Sequence, residues 1–401
     1  MRVLVSCTSG DGHFYPLLPL AHAFRGGGHD VAFAMAAEYA QLITSAGFSW
    51  FPAGIGLPEL NARQERWLTG RPALTSPDYL PFVIATRYAL GDTPDRLDDL
   101  MSVTASWRPD LIVFEPCDLA APIAAAALGV PTVHHSFGRA LAAECYERSA
   151  EHVEPLWRQA GLTMPALCGT YDGQYVDICP PSLQRREMPP SVRVLPLGPM
   201  SPTQADTPPP WLRELPERPS IYVTLGTVFN DLDRLRLLLD TFADVDANVV
   251  MTIGRDNDPA DLGLIPGNAV VERFIPQAML LPHMNAVVTH AGSGSMLAAL
   301  AYGLPMVMLP EGADQFENAD ACAALGVSRW VAAEDVDVDA VGLALSTVLS
   351  DPSYSQCADA IRKEMSAMPD PDTVAESISR TTEPCPATLV GRLGTPTPPG
   401  R

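Results

Sequence analysis

The run His290-Ala291-Gly292-Ser293-Gly294-Ser295 is the part of this chain best suited to chemistry, because small residues there separate a strand ending at Thr289 from a predicted helix over 296–302. Small side chains let phosphate oxygens approach the backbone, and the free amides and dipole of a helix start supply positive potential without a metal. Tight packing alone is the other use of such a turn. Pro310-Glu311-Gly312-Ala313-Asp314-Gln315 follows another short strand, at the carboxyl end where open α/β sheets bind ligands. Asp314 and Gln315 offer donors and acceptors matched to adjacent sugar hydroxyls, with a helix cap as the plainer role. In the first half, Gly12-His13-Phe14-Tyr15-Pro16 puts a histidine in the loop after the first strand. An imidazole near its neutral point can take a hydroxyl proton, and a carboxylate beside it holds the tautomer and stabilises the imidazolium. Glu115, just after Val113-Phe114, is expected at the same sheet edge as His13, with Asp118 in reserve; a surface or capping histidine is the alternative.

Such residues need strands to carry them. A strand over 3–7, a loop with Gly10 and Gly12, a helix from about Pro16 to the Gly26-Gly27-Gly28 stop and a strand over 30–34 make a unit that implies a parallel sheet. The pattern returns as a strand over 111–114, an alanine-rich helix over 119–128 and a strand over 131–135. Between them, residues 55–105 carry Trp67, Tyr79, Phe82 and Tyr88 without a repeat, as either a pocket-lining insertion or a satellite core. Residues 196–219 hold eight prolines, a density that sustains neither helix nor central strand. Beyond them a second series opens: strands over 221–225, 248–252, 286–290 and 305–309, with helices after Leu232 and from Ser295.

The expected fold is therefore α/β, two doubly wound Rossmann-like domains facing a cleft. Residues 1–200 form an acceptor-binding half, 201–219 a linker and 220–360 a donor-binding half. A C-terminal helix over 361–383 packs back on the first domain, and 384–401 form a disordered tail.

With 401 residues, 47% hydrophobic and 18% charged, the chain has ample apolar material for two domains. A net charge of −21 without a basic patch argues against nucleic acid or anionic lipid as partners. Eight scattered cysteines with no Cys-x-x-Cys suggest buried thiols in a reducing compartment. The apolar start is too short for a signal peptide and no stretch could span a bilayer, so a cytoplasmic protein is expected. Asp335-Val336-Asp337-Val338-Asp339 reads as carboxylates at a helix start, and no metal site or cofactor is expected.

Taken together, the motifs resemble the GT-B nucleotide-sugar glycosyltransferases, in the bacterial branch that decorates polyketides, macrolides and enediynes. The resemblance runs from Gly12–Pro16 through Leu225-Gly226-Thr227, Phe274-Ile275-Pro276-Gln277 and His290–Ser295 to Asp314–Ala319, with Tyr175–Leu183 similar to the enediyne enzymes. It implies His13 as base on the acceptor hydroxyl and Glu115 as its orienting acid. Thr227, His290 and the amides of Gly292, Ser293, Gly294 and Ser295 would hold the diphosphate. Phe274 would stack on the base while the Ile275 backbone reads its edge, and Asp314 and Gln315 would bind the sugar. The substrates implied are an NDP-sugar and an apolar aglycone, joined with inversion. Relatives from plants have a ribose-gripping glutamate where this chain has Ala298, a loss that suits a dTDP-deoxysugar better than UDP-glucose. A nucleotide-sugar epimerase of the same fold, or a non-catalytic helper of a partner transferase, are the rival readings.

Overall fold

In the computed structural model, residues 1–66, 71–73, 76–184, 188–199, 208–226, 231–255 and 257–382 are described. Aliphatic runs such as Val3-Leu4-Val5 and Leu111–Phe114 are buried on both faces, which is why they read as continuous apolar strands rather than alternating ones. Seven of them form the first sheet: β1 (Arg2–Ser6), β2 (Asp30–Met35), β3 (Ser49–Pro52), β4 (Leu111–Phe114), β5 (Thr132–His135), β6 (Gln174–Asp177) and β7 (Arg193–Pro196). Their order is β3-β2-β1-β4-β5-β6-β7, every pairing parallel. A second parallel sheet contains β8 (Ser220–Thr224), β9 (Asn248–Thr252), β10 (Ala269–Glu272), β11 (Ala286–Thr289), β12 (Met306–Met308) and β13 (Ser328–Trp330). Its order is β10-β9-β8-β11-β12-β13, so each sheet reverses direction once, at β1/β4 and at β8/β11. Two parallel α/β sheets of this kind are the doubly wound architecture expected from the sequence.

Several boundaries differ from expectation. The first helical segment begins at Asp11 rather than Pro16: a turn Asp11–Phe14, a 3-10 turn Tyr15–Leu17 and a helix Leu18–Gly26 run together. The described residues of 55–105 form no satellite, since Leu60, Leu80, Ile84, Leu97 and Leu100 join the main core on one face of the first sheet, while Trp67 lies outside the described residues. The proline-rich segment is not wholly irregular. Its 3-10 turn Pro210–Arg213 places Leu212 in the core of the second half, because proline suits the first positions of such a turn.

In place of one C-terminal helix there are two, Pro352–Ser366 and Pro371–Thr382. The first packs on the helix Ser293–Ala301 and the second on Leu18–Gly26. The chain crosses between halves at the break, where Gly198 N donates to Pro369 O at 2.8 Å and Ser182 N to Glu364 Oε1 at 2.8 Å. Val374, Ala375 and Ile378 of the last helix enter the core of the first half, and full burial of a side chain such as Ile378 contributes about 1.5–3 kcal/mol. The expected tail over 384–401 lies outside the described residues, and among these no helix is long and apolar enough to cross a membrane.

Beneath the β1/β4 reversal lies a buried ion cluster. Arg96, 0% exposed, donates through Nε to Asp92 (2.6 Å) and through Nη1 to Cys7 O (2.8 Å), with Asp118 3.8 Å away. Asp118 accepts from Ser6 Oγ at 2.5 Å and from the amides of Ala120 and Ala121, at the start of the helix Ala120–Leu128. Burial pushes its carboxyl up to about 6, against the pull of Arg96 and Ser6. Asp118 therefore serves the scaffold and does not orient His13, which corrects its reserve role. Asp118→Ala leaves both helix-start amides and part of the Arg96 charge uncompensated; denaturant unfolding is expected to show a loss of about 3 kcal/mol.

Candidate active site

Loops leaving adjacent strands at a reversal turn away from each other and open a crevice at the carboxyl edge. His13 enters the first crevice from the helical turn Asp11–Phe14 that follows β1, and Glu115 is the residue directly after β4. His13 Nδ1 lies 3.1 Å from Glu115 Oε2 and 3.1 Å from Thr8 Oγ1. Glu115 has no exposed surface and also accepts from Thr8 N (3.1 Å), Thr8 Oγ1 (2.7 Å) and Cys117 N (2.8 Å). Burial alone would raise its pKa; the charge and hydrogen bond of His13, with the Cys117 amide and Thr8, bring it down to about 2. An ionised carboxylate can only accept, so in the neutral imidazole Nδ1 carries the proton and Nε2 the lone pair. The ring is 16% exposed and wedged between Tyr88 and Phe137, with centroids at 5.5 and 5.0 Å. Cys117 completes a set with His13 and Glu115 whose ligand atoms all lie within 4.8 Å, a spacing that could hold a metal ion, although Glu115 already has four hydrogen-bond donors.

The β8/β11 reversal builds a second crevice in the same way. His290 follows β11, and its ring lies between Gly226 and Gly292: a Cβ on either would come within 2.6 and 2.4 Å of it. These two glycines thus admit the histidine, whereas Gly294 has open space where a side chain would be. Burial, reinforced by the charge of Arg234, lowers the His290 pKa to about 4 against a hydrogen bond to the Thr224 backbone, keeping it neutral at physiological pH. The helix Ser293–Ala301 starts at Gly292 with no side chain capping it, so its first amides have no intrahelical acceptor.

Other expected donor-side residues fare differently. Asp314 accepts from Ser293 Oγ (2.6 Å) and Asn318 Nδ2 (2.9 Å), which ties the glycine-rich turn to the loop after β12. Gln315 is 2% exposed, and its carbonyl accepts from the amides of Glu311 and Gly312 at 2.7 and 3.2 Å. That oxygen shapes its own loop. Phe274 is 42% exposed, with the Arg255 guanidinium 3.7 Å above its ring, and Ile275 is buried beside it. Thr227 lies outside the described residues.

A loop that sequence reasoning passed over joins the crevices. Phe137, two residues beyond β5, touches the His13 ring, while the next residue, Gly138, lies so close to the donor side that a Cβ would come within 2.1 Å of Ser293 Oγ and 2.6 Å of Ser293 Cβ. Arg139 then donates to Glu317 O at 2.9 Å. Three consecutive residues of the first half thus span from the imidazole to the helix start of the second. A surface cleft of about 480 Å³ at the opposite edge of the first sheet, lined by Thr132, Gln174 and Arg193 among others, touches none of this.

Two descriptions of one protein family match the chain: the C-terminal domain of "Erythromycin biosynthesis protein CIII-like" over residues 236–381 and its N-terminal domain over 80–226. The chain belongs to this family of antibiotic-biosynthesis glycosyltransferases. It is 30% identical to an L-demethylnoviosyl transferase of Streptomyces niveus over 94% of this chain and 98% of the relative. A TDP-daunosamine transferase of Streptomyces peucetius is also 30% identical, over 95% of this chain and 97% of its own. Among solved structures, the glycosyltransferase SnogD from Streptomyces nogalater superposes with TM-score 0.75 at 26% identity, covering 95% and 99% of the two chains. The glycosyltransferase VinC, in complex with dTDP, gives 0.78 at 26% identity over 96% and 100%.

For this glycosyltransferase, the sequence pattern missed Tyr88, Gly138, Arg234 and Arg255. Tyr88 stood in a stretch whose aromatic residues were visible but had no period, and nothing local marks Gly138, because its constraint is a contact across the two halves. Gly138→Ala should push Ser293 away from the loop without straining its own backbone. A fall in turnover of about tenfold or more, with a melting temperature close to that of the parent, is the expected result of steady-state kinetics and thermal unfolding.

Proposed function

We propose that the chain transfers a deoxysugar from a dTDP-linked donor to a hydroxyl of an apolar natural-product aglycone, in the cytoplasm and with inversion at the anomeric carbon. One observation carries the reading: the Phe137-Gly138 step sets the His13 imidazole, oriented by a buried ionised carboxylate, against an uncapped helix start. The acceptor oxygen attacks the anomeric carbon as its proton passes to His13 Nε2, while the bond to the diphosphate breaks and the electron pair leaves with it. Glu115 stabilises the imidazolium. Amides of Ser293 to Ser295 and the neutral His290 meet the growing negative charge, in a role that a metal ion or other cofactor would otherwise fill. The base stacks on the face of Phe274 that Arg255 covers, so the guanidinium moves aside on binding. Asp314 turns its second carboxylate oxygen to the sugar. TDP in the name of the Streptomyces peucetius relative and dTDP bound to VinC favour that donor, as does Ala298 in place of a ribose-binding acid.

An epimerase would convert the donor to its epimer without an acceptor, and a helper would not turn over at all. His13→Ala is expected to lower transfer to a hydroxyl acceptor by a factor of about 100–10,000, the usual worth of a general base, in a mass-spectrometric assay of dTDP-sugars against polyketide aglycones. Retention of full transfer would refute the assignment of the base. Calorimetry should find dTDP binding tighter than UDP; equal affinities would count against the donor reading.

A further inference from the structure

The nitrogen that must take the acceptor proton is already occupied. His13 Nδ1 donates to Glu115, so Nε2 presents a lone pair, and the Tyr88 hydroxyl lies 3.2 Å from it. Burial raises the Tyr88 pKa, with the Cys117 side chain adding to the rise, so the phenol keeps its proton and donates it to Nε2. Its backbone is pinned as well: Tyr88 lies in a π-helical turn, Ile84–Leu90, and its carbonyl accepts from Asp92 N (3.1 Å) and Thr93 Oγ1 (2.9 Å) at the start of the next helix. Wide turns of this kind recur at functional sites.

We propose that Tyr88 is a positioning residue that caps the base, holding its lone pair in a hydrogen bond until an acceptor hydroxyl displaces the phenol. The inference rests on the transferase reading above and adds a discrimination between acceptor and water. With Nε2 capped, a stray water in the cleft finds no base. Uncapped, that water would lose a proton to Nε2 as its oxygen bonds to the anomeric carbon and the nucleoside diphosphate departs with the electron pair, which is donor hydrolysis. An acceptor held by apolar surface can offset the lost phenol bond, whereas a water has no such binding to draw on.

Tyr88→Phe removes one oxygen and keeps the ring against His13. Two measurements test it, and the first needs no donor. Diethylpyrocarbonate forms an N–C bond at a free imidazole lone pair with loss of carbon dioxide and ethanol, and peptide mass mapping reads its rate at His13. In the variant that rate should rise about three- to tenfold, the range equivalent to one net hydrogen bond. A rate equal to or below the parent's would overturn the cap, provided thermal unfolding shows both proteins folded; should the variant unfold, the same labelling of Tyr88→Leu decides. In the second, nucleoside diphosphate release from a dTDP-hexose without acceptor should rise by a similar factor and fall again in the His13→Ala, Tyr88→Phe double variant. Reduced release instead, with slower transfer, would make Tyr88 a proton relay and sink the proposal. Failure of the parent protein to bind dTDP counts against the transferase reading, while the labelling result still decides the cap.

Discussion

Glu115 is the group on which the rest of the first crevice depends. A carboxylate with no exposed surface is costly to ionise unless donors surround it, and here four hydrogen bonds from Thr8, Cys117 and His13 do so. Those donors come from the ends of β1 and β4, the two strands that flank the reversal. Satisfying one buried charge therefore draws both strand ends together and at the same time selects the imidazole tautomer. The other ring nitrogen, Nε2, is thereby left facing the Tyr88 hydroxyl. Deeper in the same half, Arg96 with Asp92 and Asp118 repeats the principle without any chemistry attached.

The two halves solve their problem with the same topology and opposite electrostatics. Each parallel sheet reverses once, and each reversal receives a histidine from the segment that follows one of its two strands. At β1/β4 an ionised carboxylate faces His13. At β8/β11 burial and the nearby Arg234 keep His290 uncharged, while an uncapped helix start supplies the positive potential. An acidic chain of net charge −21 offers no general field for an anion, so this local source matters more than it would in a basic protein. Contact between the crevices rests on the absence of one Cβ, at Gly138, and on a helix pair that crosses from one half to the other at residues 367–370.

Much of this was legible in the order of residue types. Continuous apolar runs announced parallel strands, and glycine-rich or proline-rich punctuation separated them into two series. His13 and Glu115 could be paired because residues that follow adjacent parallel strands must emerge at one edge. Short strands were harder: β3, β6, β7, β10 and β13 lie at or beside the edges of their sheets, where fewer apolar neighbours demand a strong pattern. Gln315 shows where residue type alone does not decide. An amide side chain suits a sugar and a loop equally well, and only the positions of the Glu311 and Gly312 amides reveal which one holds its oxygen.

By itself, the sequence determined the class of fold and pointed to two histidines that follow strands and to the acid behind one of them, since periodicity and position after a strand are local properties of the chain. Tertiary structure alone decided what lies across from them. Tyr88 reaches His13 over 75 positions, Gly138 meets Ser293, and Arg255 covers Phe274. Contacts of that kind depend on how rigid elements are oriented in space, a quantity set by the packing of whole sheets and helices and written in no short stretch of residues.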